Sequence, residues 1–210
     1  MAYDLEEQEK IDQLKAWWGS YGTAALTFLV VLLVLVAGWR GWQWYQGHQA
    51  NQARGYFEAL EDASRQTGDE SVARINAAVT TLRAEFGATD YAVRGALVAA
   101  AALQARGDLA AAQSQLEWIA RSGHPALVPV AKLRLAGLFY DKKDYDAALA
   151  QLQDAPPAFA GLFADRRGDI LFAQGKPSEA RAAWQQAISA LGVTSQLAPA
   201  IKLKLDALGS

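Results

Sequence analysis

Two regimes of hydrophobic patterning divide the chain. Between Lys15 and Arg40, twenty-four residues run without a charge. Within them Ala24 to Ala37 is almost wholly apolar, with neither the period-2 alternation of a half-exposed strand nor the polar face of a surface helix. About 20 apolar residues in a helix span the roughly 30 Å hydrocarbon layer of a bilayer. Aromatic rings crowd both ends: Trp17, Trp18 and Tyr21 before, Trp39, Trp42, Trp44 and Tyr45 after. Such rings favour the headgroup layer, apolar body inward and polar edge toward water. The pattern predicts one membrane-spanning helix over 17–45, preceded by a short acidic tail over 1–16. A cleavable signal peptide has a basic leader and a small-x-small cleavage site. Here Asp4, Glu6, Glu7, Glu9 and Asp12 outweigh Lys10 and Lys15, and bulky Trp39 follows Val36 and Gly38. The segment therefore reads as a retained anchor. Lys10 and Lys15 before it are matched by Arg40 and Arg54 after it, so basic residues alone do not orient it.

After residue 46 the pattern becomes amphipathic with helical period, rich in alanine and poor in β-branched residues, which predicts an all-α domain. Three turns punctuate it: Arg106-Gly107-Asp108-Leu109, Lys142-Lys143-Asp144-Tyr145 and Gln174-Gly175-Lys176-Pro177. Five residues after Gly107, Lys143 and Gly175 stands an alanine (Ala112, Ala148, Ala180), and four further on a large apolar residue (Leu116, Leu152, Trp184). Seven residues before each turn position stands a small residue (Ala100, Ala136, Gly168), and four before it a bulky one (Leu103, Phe139, Leu171). Small residues let two helices approach closely while larger neighbours fill the space beside the crossing. This is the grammar of tetratricopeptide repeats, helix–turn–helix units of about 34 residues. Three such units are expected over 90–192, a degenerate membrane-proximal helical pair over 46–89, and a capping helix over 193–210. In the proximal pair Glu61 stands where the small crossing residue belongs. The expected fold is all-α: a single transmembrane helix followed by a tetratricopeptide-like α-solenoid.

Stacked helix pairs line a concave surface with their first helices. By repeat register that surface carries Arg94, Leu97, Ala101 and Gln104, then Val130, Leu133, Gly137 and Tyr140, then Leu162, Asp165, Asp169 and Phe172. It suits an extended or helical segment of another protein. Packing of Leu97, Leu133 and Phe172 against neighbouring helices is the competing reading of the same pattern.

Composition adds mostly exclusions. A formal net charge of −2 offers no basic footprint for nucleic acid. With two histidines and no cysteine, neither a zinc site nor a nucleophilic triad assembles, no glycine-rich phosphate loop occurs, and no cofactor is implied. Asp165 and Asp169 share a helix face beside Arg166 and Arg167, which reads as a solvated or partner-binding face rather than an acid–base pair. No enzyme is expected. Without cysteine, thiol lipidation is excluded and the helix itself must hold the membrane.

The layout resembles the YfgM-type ancillary subunits of the bacterial SecYEG translocon. The resemblance is carried by Gly38-Trp39-Arg40-Gly41-Trp42 closing the anchor, by Leu133-Arg134-Leu135-Ala136, and by Ala164 to Leu171 with Gly175-Lys176 and Ala180 to Trp184. From Gln49 to Phe86 only the pattern agrees. The resemblance implies a single-pass inner-membrane protein with a cytoplasmic N-terminus and a periplasmic repeat domain. It also implies partnership with the SecYEG translocon and with a membrane-anchored periplasmic chaperone of the peptidyl-prolyl isomerase type, in assisting export or early folding of secreted proteins. It transfers no catalytic residue. The alternative of another class is a self-associating structural organiser of envelope or division machinery, and homo-oligomers stay open under both.

Overall fold

The computed structural model describes the backbone of residues 2–192 and 194–209 and the side chains from Glu9 onward. The side chains of Asp4, Glu6 and Glu7 in the expected acidic tail, and Val193 and Ser210 in the expected cap, lie outside the described residues. Among the described residues there is no strand: the chain is all-α. It forms two compact units, residues 1–51 and 52–210.

The first unit is the major part of helix α1, Ala2–Arg65. Its uncharged stretch is long and apolar enough to cross a membrane, and only 6% of its most apolar window is buried. The core helix of a soluble protein buries such a stretch. Here Phe28, Val34 and Leu35 are 70%, 65% and 65% exposed. A helix is one of two structures that satisfy every backbone N–H and C=O internally in lipid, the other being a closed barrel. The rings at both ends are exposed on the helix surface: Trp17 and Trp18 at one, Trp39, Trp42 and Trp44 at the other. His48 stacks on Trp44 with ring centroids 5.5 Å apart.

The second unit begins with the last turns of α1 and continues through α2 (Asp69–Glu85), α3 (Asp90–Ala105), α4 (Leu109–Arg121), α5 (Leu127–Asp141), α6 (Tyr145–Gln151), a 3-10 turn at Pro157–Phe159, α7 (Ala160–Ala173), α8 (Pro177–Leu191) and α9 (Ala198–Ala207). The three punctuation sites fold alike. Gly107, Lys143 and Gly175 all have positive φ (81°, 61° and 76°). Each turn closes two backbone bonds onto the preceding helix. The N–H of Asp108, Asp144 and Lys176 reaches the carbonyl of Leu103, Phe139 and Leu171, and the N–H one residue earlier reaches Gln104, Tyr140 and Phe172. This Schellman geometry satisfies carbonyls that the helix end leaves open. The residue that closes it also starts the next helix: Asp108 accepts from the Ala111 N–H and Asp144 from the Ala147 N–H, while Pro177 opens α8.

The crossings obey the spacing. Ala100, Ala112, Ala136, Ala148 and Ala180 are at most 1% exposed, as are Leu116 and Leu152. At the third crossing a Cβ on Gly168 would lie 2.4 Å from the Trp184 indole, so only glycine lets α7 and α8 meet over that ring. The membrane-proximal pair joins the same body. Ala53, Leu60 and Ala63 of α1 share a core with Ile75, Val79 and Leu82 of α2 and with α3. Its register differs from the three repeats, with Ala63 rather than a residue at position 61 among the buried small side chains.

Two arginines donate to carbonyls at helix ends from elsewhere in the fold. Arg106 donates to the carbonyls of Ser64 (3.0 Å) and Gln66 (2.5 Å) at the end of α1. Arg167 donates to the carbonyl of Leu152 (2.8 Å) at the end of α6, which stops after seven residues ahead of Asp154, Pro156 and Pro157. A cation there also meets the negative end of the helix dipole.

Two glycine substitutions of opposite sign test this frame by denaturant unfolding of the full chain in uncharged detergent. Lys143→Gly relieves a side chain held at positive φ and is expected to raise stability by about 0.5–1 kcal/mol. Gly168→Ala gains about 1 kcal/mol of helix propensity but overpacks the buried Trp184 ring, which costs about 1–3 kcal/mol. The balance lies between about zero and a loss of about 2 kcal/mol, and a higher stability would contradict the close crossing.

Candidate protein-binding groove

The first helices of the repeats, α3, α5 and α7, carry the concave-face residues thirteen, ten, six and three positions before each turn position, which is one face of a helix. The structure divides these residues among different surroundings. On α3, Arg94, Ala101 and Gln104 are exposed, and Leu97 is half-buried against the core around Leu60 and Leu103. On α5, Val130, Leu133, Gly137 and Tyr140 are half-buried, with Leu133 packed on the cluster of Ala136, Leu152, Phe163 and Ile170. On α7, Leu162, Asp165 and Asp169 are half-buried and Phe172 is 53% exposed.

Two clefts open along this face. One, of about 360 Å³, is lined by Leu97, Val98, Ala101, Ala102 and Ala105 of α3, with Ser64, Arg106 and Arg134. The other, of about 380 Å³, is lined by Tyr140, Arg166, Asp169, Phe172, Trp184, Lys204, Ala207 and Leu208. Of the expected residues, the structure thus gathers Tyr140, Asp169 and Phe172 in one cleft and places Leu97 in the other. Arg94, Gln104, Leu133 and Asp165 line neither. A third cleft, of about 500 Å³, lies between α1 and α2 and contains none of them.

The second cleft is organised by one ammonium group. Lys204 of α9 places Nζ 2.8 Å from Asp165 Oδ1 and 2.6 Å from Asp169 Oδ1. It also stands 5.8 Å from the centroid of the Trp184 ring. Trp184 Nε1 donates to the same Asp169 oxygen at 3.1 Å. Burial by itself lowers the pKa of Lys204; the hydrogen bonds to Asp165 and Asp169 and their charges outweigh it, and the net shift is upward. The two carboxylates, read from sequence as a solvated or partner-facing pair, therefore have an internal partner that seats the capping helix against α7. Phe172 packs its ring 5.9 Å from Trp184 and leaves its other side open.

Sequence reasoning passed over Lys204, Trp184, Arg134 and Arg166 as groove residues. The two arginines carry a signal it did not use: each stands nine residues before its turn position, Lys143 or Gly175. Lys204 carries none, because its partners lie thirty-five and thirty-nine residues away. Arg83 also escaped notice. It donates to the buried Gln115 at 3.0 Å and covers the Trp118 ring at 5.2 Å, and burial, with help from Arg121, lowers its pKa. His124 sits in the loop before α5, where Nδ1 accepts from the Leu127 N–H at 3.3 Å.

Comparison with known proteins agrees with this architecture. The family model for a tetratricopeptide repeat-like domain matches residues 15–210. The chain is 30% identical over 210 residues to an ancillary SecYEG translocon subunit of Neisseria gonorrhoeae, covering 99% of this chain and 100% of that one. It is 28% identical over 189 residues to a protein of the same name from Haemophilus influenzae, covering 89% of this chain and 91% of that one. No solved structure matches it.

Lys204→Met is expected to lower stability by about 1–3 kcal/mol, because two half-buried carboxylates lose their shared donor. The pKa of Lys204 is raised on folding from its ordinary value of 10.5. Its contribution is therefore fully present below that pH and is lost as the pH rises through the higher folded-state value. The difference in melting temperature between wild type and variant is expected to be wide at about pH 8 and to narrow as the pH climbs past the ordinary lysine value. A gap of constant width would remove the ion pair as its source.

Proposed function

The chain belongs to the tetratricopeptide repeat-like family and to the ancillary subunits of the SecYEG translocon, and from that premise we propose that it is a non-enzymatic accessory of the Sec translocon. It is a single-pass protein of the bacterial inner membrane, its tail in the cytoplasm and its repeat domain in the periplasm. The anchor holds the domain beside the translocon. The concave face docks a membrane-anchored periplasmic chaperone of the peptidyl-prolyl isomerase type, and the pair assists export or early folding of secreted proteins. Its groove residues are Arg94, Leu97, Gln104, Leu133, Tyr140, Asp165, Asp169 and Phe172, with the exposed ring of Phe172 and the cleft residues Leu97 and Tyr140 making the apolar contacts. Asp165 and Asp169 hold the shape of the cleft through Lys204.

One observation carries this reading. The match to the Neisseria gonorrhoeae relative runs along the anchor and the repeats together, 99% of this chain and all of the other. A repeat domain shared without its anchor would support binding but not the workplace.

The test is recovery from membranes. The full chain, tagged and extracted from bacterial inner membranes in mild detergent, is expected to bring down the translocon and a chaperone of the stated type. A reporter active only outside the cytoplasm, fused after Ser210, is expected to be active. A protein recovered without translocon components, or a silent reporter beside an active cytoplasmic one, would overturn the reading.

A further inference from the structure

The two carboxylates of the concave face, Asp165 and Asp169, are paired within the molecule, while the arginines that line its clefts include two without a partner. Arg134 and Arg166 occupy equivalent positions in successive repeats, each nine residues before the turn position. Each lines one of the two clefts. Among the described residues neither takes part in a hydrogen bond or ion pair. The carboxylate that lines the second cleft, Asp169, is bound to Lys204 and Trp184, and its neighbour Asp165 is bound to Lys204 as well. The first cleft has no acidic lining residue. Its other cation, Arg106, is spent on the carbonyls of Ser64 and Gln66. Asp141, at the exposed end of α5, lines neither cleft.

What remains along the clefts, among the described residues, is two free guanidinium groups one repeat apart, set among apolar surface: Leu97 beside Arg134, Tyr140 and Phe172 beside Arg166. Arg166 is half-buried and Arg134 exposed at the rim of its cleft, and each guanidinium faces apolar walls without a partner. A carboxylate brought to it forms a charge-assisted, two-pronged pair in a poorly screened place. The adjoining rings offer area to an aromatic or aliphatic side chain, which a bare anion does not use.

We propose that the concave face binds an extended polypeptide segment in which acidic residues recur with large apolar residues between them. Its carboxylates pair with Arg134 and Arg166, and its apolar side chains lie on Leu97, Tyr140 and Phe172. Helices α5 and α7 share the core of Ala136, Phe163 and Ile170, packed helix axes lie about 8–10 Å apart, and an extended chain of polyproline II type repeats its side-chain direction every three residues at about 3.1 Å each, so the two carboxylates belong about three residues apart. This rests on the reading that the groove docks other proteins, and it specifies the chemistry of what docks.

The experiment uses the full chain in uncharged detergent and a fluorescein-labelled synthetic peptide with aspartates three residues apart and leucine and phenylalanine between them, followed by fluorescence anisotropy. The Arg134→Gln/Arg166→Gln double variant is expected to bind the peptide at least about tenfold more weakly. Arg121→Gln, an exposed arginine on α4 away from both clefts, is expected to bind as wild type does. Replacing the aspartates of the peptide by asparagine is expected to cost as much as the double variant. Circular dichroism checks that the variants keep their helices, and Arg166→Lys, which retains charge without the planar fork, is expected to fall between. Equal binding by the double variant, or by the asparagine peptide, overturns the proposal. So does an arginine dependence seen only with phosphatidylglycerol vesicles, which would make the site one for lipid phosphate. If the wild-type chain still recovers the translocon from membranes while the peptide fails, the acidic segment alone is withdrawn; if translocon recovery fails too, the docking reading falls with it.

Discussion

Everything in the repeat domain depends on how closely two helices can cross. Ala100 and Ala112 share one buried core, Ala136 and Ala148 share another, and Gly168 gives way to the Trp184 ring. Where side chains are this small, backbones approach and the flanking Leu103, Leu116, Leu152 and Leu171 seal the space beside the contact. Packing at such a crossing tolerates little change in volume, because interiors are filled to the density of crystals. The third pair shows the rule in its extreme form: it admits an indole at the crossing by dispensing with a side chain on the opposite helix. That choice places Trp184 where its Nε1 reaches Asp169 and its face reaches Lys204. A packing decision thus sets up the polar chemistry of the cleft.

That polar chemistry redistributes charge. A chain with formal net charge −2 presents clefts whose available charges are cationic, since Asp165 and Asp169 are turned to an internal task. Net charge describes the field far from the molecule. The character of a groove is decided by which charges are already paired at short range, where dielectric screening is weak. Phe172 keeps one side against Trp184 and one side open, so the same node that fixes the carboxylates also presents an aromatic surface.

The membrane unit obeys a simpler constraint. Hydrocarbon supplies no partner for backbone polar groups, and a lone segment there is helical by necessity. Its exposed leucines and valines, which on a soluble protein would form a liability, are the surface that lipid covers. The rings at Trp17, Trp18, Trp39, Trp42 and Trp44 are exposed at the two ends of that surface, the position that the headgroup layer favours for indoles.

Much of this is local and was legible in the residues themselves. A charge-free run with aromatic ends needs no tertiary contact to define it. The turns are written at Gly107, Asp108, Asp144, Gly175 and Pro177, because positive φ, capping and helix starts each demand a small set of residue types. The small–large spacing around them specifies the crossings. Lys143 was placed at a turn by repeat register alone, against its own preference. The concave face was legible as a register but not as chemistry. Whether Leu97, Leu133 and Phe172 point into a groove or into a core is a matter of what packs beside them, and the fold gave each a different answer. The pairing of Lys204 with Asp165 and Asp169, the hold of Arg106 on the end of α1, and the freedom of Arg134 and Arg166 span tens of residues or rest on the absence of a neighbour. Such facts belong to the tertiary structure, because a short-range ion pair depends on position in space to within an ångström and sequence spacing constrains that only within a single helix or turn.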